Sequence, residues 1–256
     1  MSNGPLTVER LEQGAIWRVT LGGSKGNILD GAAMDALMAL FNEAAATRDV
    51  KAIVLEGEGK HFSFGASVPE HLPGQVDGML KRFGAMLLSL VDCAVPVLAA
   101  VRGQCLGGGL ELVMLCHRIY ATEDAKMGQP EIVLGVFAPI ASLILPGRVG
   151  RGPAEDICIT GRSIGGAEAK AIGLVDELAA DPTAAALAYA RTHFLPKSAA
   201  CVRYAVRAVR ADLRAKLANE LPALERLYLD GLMATADAQE GLKAFMEKRG
   251  AVWQNA

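Results

Sequence analysis

The stretch that most constrains this chain is a short apolar run followed by three consecutive glycines. Residues 96–101 contain only Pro, Val, Leu and Ala. A run this short, bounded by Pro and Gly, reads as a fully buried strand. After Arg102-Gly103-Gln104-Cys105-Leu106 come Gly107, Gly108 and Gly109, then Leu110-Glu111-Leu112-Val113-Met114-Leu115-Cys116, which reads as a buried helix. A strand–glycine–helix joint of this kind aims unpaired backbone N–H groups and the positive helix end at one point in space. Glycine lets a ligand approach the backbone closely. An oxygen carrying negative charge would be stabilised there, and Glu111 lies just inside the helix beside that point.

With 256 residues, 52% hydrophobic and 21% charged, the chain has material for one large core and is not a disordered sequence. A net charge of -2 argues against nucleic-acid binding, which shows a basic excess. The cysteines at 93, 105, 116, 158 and 201 are odd in number, scattered and set in apolar contexts. They read as reduced thiols of a cytoplasmic protein, without a CxxC pair for zinc. His61, His71, His117 and His193 lack metal-ligand spacing and read as surface or satisfied core histidines. No charged leader precedes an apolar signal core, and no apolar run reaches membrane-spanning length.

Taken in order, residues 6–9 and 16–21 alternate as two strands joined near Gln13-Gly14. Residues 22–27 form a glycine-rich loop without the Gly-Lys-Ser/Thr of a phosphate-binding loop. Asp30 is placed to cap a helix to about residue 47, with Met34, Leu37, Met38 and Phe41 inward. A strand over 52–57, an apolar turn over 61–68 and a helix over 76–91 lead to the glycine joint. Beyond it come a strand over 118–122, a turn-rich link over 125–135 in which Pro130 makes Glu131 the start of a new element, and helices over 139–149, 153–160 and 166–172. A short strand over 174–178 is followed by helix alone. The pattern is α/β with a helical tail and no linker, divided into a core over 1–195 and a helical region over 196–256. In the tail, Leu213, Leu217, Leu221, Leu224, Tyr228 and Leu232 form an apolar face whose natural cover is another subunit. Arg203, Arg207, Arg210 and Arg214 form a basic stripe, read as a solvated face or a border for a phosphate or a subunit. Asp237 and Glu240 have capping-box spacing.

Several blocks carry a resemblance: Phe62-Ser63-Phe64-Gly65-Ala66-Ser67-Val68, Gly107-Gly108-Gly109-Leu110-Glu111 and Gly128-Gln129-Pro130-Glu131-Ile132-Val133-Leu134-Gly135. Thr160-Gly161-Arg162-Ser163 with Gly173-Leu174-Val175-Asp176, and the ending over 241–249, continue it in the same order. Together they resemble the crotonase (enoyl-CoA hydratase/isomerase) superfamily from about residue 15 to residue 250. The resemblance implies a spiral of ββα units and C-terminal helices that pack a trimer, often stacked as a hexamer. It also implies an acyl-CoA thioester as ligand, with no cofactor beyond the coenzyme A of the substrate.

The chemistry of such a thioester can be argued beside it. Addition of water at the β carbon puts negative charge on the thioester oxygen, and two backbone donors stabilise it, each typically by about 3–4 kcal/mol. By resemblance these are the amides of Ala66 and Gly108. Hydration also needs a base for water and an acid for carbon. Glu111 and Glu131 occupy both glutamate positions of the hydratase pattern; we assign Glu111 to water and Glu131 to carbon, with the division between them open. Two carboxyls in an apolar pocket share charge unwillingly, so one is expected to titrate toward neutrality. The competing structural reading makes Glu111 a carboxylate favoured by the helix dipole and Glu131 a residue following Pro at a new element. The resemblance further points to Lys25, Phe64, Ser67 and Val68 as acyl-CoA contacts, to Phe137 in the acyl wall, and to Phe245 and Lys248 reaching coenzyme A from a neighbouring subunit.

The departures from the family pattern are informative. Ser67 stands where Asp is usual, Val68-Pro69 precede no Lys, and the Cys-Asp after the catalytic helix is Cys116-His117. Beyond Gly135, where hydratases commonly carry glycine pairs and Thr-Gln-Arg, the chain reads Val136-Phe137-Ala138-Pro139-Ile140-Ala141-Ser142-Leu143. The wall beside Glu131 is therefore bulkier and more apolar. These segments are similar to those of family members that hydrate cyclohexa-1,5-diene-1-carbonyl-CoA in anaerobic breakdown of aromatic acids, giving 6-hydroxycyclohex-1-ene-1-carbonyl-CoA. An ordinary enoyl-CoA hydratase or isomerase is the alternative, and a non-catalytic acyl-CoA-binding homologue a more distant one.

Overall fold

The computed structural model describes residues 4–256. The chain opens with a hairpin of β1 (Leu6–Leu11) and β2 (Ile16–Leu21), then α1 (Gly31–Ala46), whose first turn is capped by the Asp30 carboxylate accepting from the Ala33 N–H at 2.9 Å. β3 (Ala52–Gly57), α2 (Val76–Asp92), β4 (Val97–Val101), β5 (Gln104–Leu106) and α3 (Gly108–Met114) follow. Next come β6 (Arg118–Ala121), β7 (Lys126–Gly128), α4 (Pro139–Val149), α5 (Arg151–Thr160), β8 (Ser163–Gly165), α6 (Gly166–Ala171) and β9 (Glu177–Leu178). The remainder is helical: α7 (Pro182–His193), α8 (Ala199–Val209), α9 (Ala211–Arg226) and α10 (Ala236–Met246).

Two sheets organise these elements. The larger runs β1-β2-β3-β4-β6-β9 and is parallel from β2 onward. Its central strands β3 and β4 are almost continuously apolar, as strands covered on both faces must be. The smaller sheet runs β5-β7-β8, and a bridge from Ser63 to Cys105 adds the 61–68 turn to its edge. From β3 to Ser63, from β4 to β5 and from β6 to β7, the chain visits the large sheet and then the small one. This repeated double step is the spiral of ββα units that the resemblance implied.

The short strands of the small sheet differ from expectation. The pattern places residues 104–106 within the glycine joint and 126–128 within a link, but each is a three-residue strand, too short for any apolar period to register. The strand expected over 174–178 is only Glu177–Leu178.

The tail also departs from its reading. Leu217, Leu221 and Tyr228 are buried within this one chain, where α9 lies on α2 and α4, and Leu213, Leu224 and Leu232 pack beside them. The stripe of arginines is a solvated face only at Arg207 and Arg214. Arg203 is buried and donates to the carbonyls of Ala44, Ala45, Thr47 and Val50, while Arg210 donates to Leu115 O and Arg214 pairs with Asp92. Only Arg207 of the four stays free of such a bond among the described residues; it lies over the Tyr204 ring. The cap of α10 is Thr235, accepting from the Ala238 N–H, because the helix starts before Asp237. Asp237 and Glu240 instead accept from Gln254, Asn255 and Val252 N–H groups and hold the returning C-terminus.

Candidate active site

The site begins with two backbone loops pressed together. Gly107 ends the small-sheet strand at φ 50°, and its φ lies where glycine alone is comfortable. The 61–68 turn runs alongside, held by a residue that sequence reasoning missed. Asn27, buried at φ 51°, donates from its amide toward the carbonyls of Glu58, His61 and Phe62 at 2.9–3.1 Å. The Ser63 hydroxyl donates to Asn27 O at 2.7 Å and accepts from Gly65 N–H at 3.0 Å. No periodicity reveals such a clamp, since its partners lie more than 30 residues away.

Contact between the loops leaves no space for side chains. A Cβ on Gly108 would lie 3.1 Å from the Ala66 nitrogen, and one on Gly65 would lie 2.8 Å from Leu106 O. Leu29 N–H donates to Gly65 O and Ser67 N–H donates to Leu29 O, so the intervening Ala66 N–H faces the other way, as strand alternation requires. Gly108 is the first residue of α3, whose N–H has no intrahelical acceptor. Two amides close together, each free of the regular ladders, fit one anionic oxygen.

The carboxylates stand beside them. Glu111, one turn into α3, is buried, and its Oε1 accepts from Ala141 N–H at 2.8 Å. Glu131 lies in a 3-10 turn over Pro130–Leu134, and its Oε1 would be only 2.6 Å from a Cβ on Gly107. Gln129 is buried with its amide 3.1 Å from both Glu131 oxygens, the amide orientation being assigned by that contact. Burial raises the pKa of Glu111 above the ordinary carboxylate range, against the lowering effect of backbone N–H donors. Burial raises that of Glu131 too, and the charge of Glu111 raises it further. The two carboxyls therefore resist being ionised together.

Ala66, Gly108, Glu111, Glu131 and Phe137 line a single narrow cleft. Its far wall is Ala138, Pro139 and Ile140, its floor Met79, Leu80 and Phe83 of α2, and its roof Leu221, Glu225 and Tyr228 from the tail. The lining is apolar around convergent polar groups, as in small-molecule sites. His71 also borders it, its Nδ1 2.9 Å from Ser67 O and its pKa lowered by burial, so the neutral ring donates to that carbonyl. The sequence expectation of a surface or satisfied core histidine holds for the ring's hydrogen bond, but His71 also lines the cleft.

The other sequence-selected residues lie outside this lining. Val68 is half-buried against the core, and Ser67 starts the 3-10 turn Val68–His71. Phe64 is exposed, edge-on to His61 and packed over Gly26, while Lys25 is exposed on the neighbouring loop. Phe245 and Lys248, near the end of the chain, are exposed and do not reach the cleft of their own chain. Cys105 and Cys116 are buried, and burial pushes both thiols up, as expected of core residues. Among the described residues no helix is long and apolar enough to cross a membrane.

Comparison with known proteins extends these observations. The sequence matches the Enoyl-CoA hydratase/isomerase family over residues 12–256. It is 48% identical over 254 residues to the cyclohexa-1,5-dienecarbonyl-CoA hydratase of Thauera aromatica, covering 99% of this chain and 98% of that protein. A probable enoyl-CoA hydratase of Rhizobium meliloti is 37% identical over 260 residues, the whole of both chains. Among solved structures, an enoyl-CoA hydratase/isomerase from Xanthobacter autotrophicus superposes with a TM-score of 0.84 at 25% identity, covering 97% of this chain and 98% of its own.

Proposed function

This chain belongs to the enoyl-CoA hydratase/isomerase family, and on that premise we propose that it adds water to a conjugated cyclic acyl-CoA, converting cyclohexa-1,5-diene-1-carbonyl-CoA to 6-hydroxycyclohex-1-ene-1-carbonyl-CoA. The observation that carries the reading is the meeting, in one apolar cleft, of two free amides and two carboxyls of raised pKa. The extent of identity to the Thauera aromatica hydratase supports the cyclic substrate.

The thioester oxygen accepts from the Ala66 and Gly108 N–H groups. Water attacks the ring carbon β to the thioester, and one carboxylate takes its proton as the C–O bond forms. Electron density moves to the thioester oxygen, where the two donors hold it as an enolate extended by the second double bond. The other carboxyl returns a proton to the far end of that system, leaving one ring double bond conjugated with the thioester. Atoms balance as one water gained. We assign Glu111 to the water and Glu131 to the ring. The protonation site is displaced across the ring relative to a linear enoyl chain, and the bulky wall of Phe137, Pro139 and Ile140 holds a flat ring in place for it.

Assembly as a homotrimer, alone or stacked as a hexamer, is part of the proposal. Its support is the apolar surface left uncovered at Val133, Leu227, Phe245, Met246 and Val252. Sedimentation velocity of a monomer would refute it. The buried free thiols fit a reducing cytoplasm.

Purified enzyme incubated with the cyclic dienoyl-CoA and with crotonyl-CoA, with mass detection of one added water, tests the reading. Faster turnover of the cyclic thioester is expected. Preference for the linear one would replace it by ordinary enoyl-CoA hydration, and no turnover of either by a binding role.

A further inference from the structure

Three polar side chains of the cleft, His71, Glu225 and Tyr228, have no part in the chemistry above, and one of them is unpartnered. Tyr228 is 1% exposed, yet its hydroxyl has no hydrogen-bond partner. It lies on a π-helical turn over Leu227–Gly231 that continues α9, and so belongs to the tail and not to the glycine joint. Its ring lies 5.3 Å from that of Phe137 at 59°, and the two aromatics line the cleft together. A phenol buried without a partner costs about 1–3 kcal/mol, and this one, unlike the other unpartnered buried side-chain atoms, belongs to a residue that lines the cleft. Widened π turns recur at functional sites.

Burial raises the pKa of this phenol, and the charges of Glu131 and Glu111 raise it further. It stays protonated at any working pH and can donate but not act as a base. The hydroxyl therefore lies within the field of both carboxylates while bonding to neither. The thioester oxygen already has two donors at Ala66 and Gly108. The oxygen left to receive a third is the one the carboxylates handle.

Building on the hydratase reading, we propose that Tyr228 is a substrate-contacting residue whose hydroxyl donates a hydrogen bond to the added oxygen, first as water and then as the new hydroxyl of the product. In the product complex it thereby distinguishes a hydroxylated ring from its unhydroxylated counterpart. The tail closes the cleft and also supplies one of its polar contacts.

Tyr228→Phe removes the hydroxyl and keeps the ring packed on Phe137. Two readouts separate a hydrogen bond from packing. The first is kcat against KM for the cyclic dienoyl-CoA. The second is the Kd of 6-hydroxycyclohex-1-ene-1-carbonyl-CoA against that of cyclohex-1-ene-1-carbonyl-CoA. We expect kcat to fall about tenfold or more with KM little changed, and the hydroxylated ligand to bind about tenfold more weakly while the other binds as before. Thermal stability should hold or rise, since an orphaned hydroxyl is removed. Unchanged kcat and Kd in the variant, with active wild-type enzyme, overturn this inference alone. Equal weakening of both ligands also overturns it, by showing packing instead. Wild-type enzyme that hydrates no acyl-CoA overturns the hydratase reading and this inference together.

Discussion

Gly107→Ala is a severe test of the site, because it adds one methyl group where Glu131 rests. The new Cβ would lie 2.6 Å from Glu131 Oε1, against about 3.4 Å for ordinary contact, so the carboxylate must retreat by about 0.8 Å. The backbone at φ 50°, ψ -127° is also one that alanine tolerates poorly, at about 1–3 kcal/mol. At about 2–4 °C per kcal/mol for a chain of this size, melting should fall by a few degrees to about ten. Misplacing a reacting group by about 1 Å costs on the order of 100-fold in rate. The expected result is therefore kcat down about 100-fold in a protein that still folds and still binds a saturated acyl-CoA, measured by initial rates and calorimetry. Glu131→Asp withdraws the carboxyl by one methylene, so it should be harmful alone but should relieve the clash. We expect Gly107→Ala/Glu131→Asp to be at least about tenfold faster than the product of the single effects. A Gly107→Ala enzyme with near-normal kcat, or a double variant whose losses multiply, would refute the placement of Glu131 against the glycine joint.

The remaining expectations follow from the same geometry. Glu111→Gln and Glu131→Gln should each lower hydration by about 10²–10⁴-fold without loss of acyl-CoA binding. Both carboxyls have native pKa values above their unfolded ones, so the stability they contribute as neutral acids is complete below about pH 4.5 and is lost as pH rises through about 7–8. Either glutamine variant should therefore melt above wild type at pH 8–9 and with it at pH 4, roughly, as thermal scans across pH would reveal. Gly108→Ala crowds the Ala66 nitrogen at 3.1 Å and Phe83 at 3.2 Å; turnover should drop about 100-fold, with a small change in melting. Asn27→Ala orphans three carbonyls and should destabilise by about 2–4 kcal/mol in urea titration, weakening activity through the displaced Ala66 loop.

Local chemistry made much of this legible before any coordinates. Asp30 and the period of Met34, Leu37 and Phe41 announce α1, and Pro96 with Gly103 bracket the central strand, because caps, periods and turns act over a few residues. The two glutamates and two amides could be named from their blocks, but only the fold brings positions 66, 108, 111 and 131 to one cleft. What escaped is non-local. Three-residue strands carry no period, Asn27 finds its acceptors more than 30 residues on, and Arg203 gathers carbonyls some 150 residues back. In the sequence Tyr228 is one more apolar position in a stripe. Its ring justifies that place, and its hydroxyl is what the stripe does not show.

Leu221, Glu225 and Tyr228 form the ceiling over chemistry whose other participants all lie before residue 141. During synthesis the catalytic apparatus is thus laid down long before it can be shut from water. A ribosome must carry the chain on from Ile140 to Tyr228 before the cavity has its cover. Nonsense mutations late in the gene would strip α2 and α4 of the helix packed on them and open the cavity to the solvent it is meant to ration.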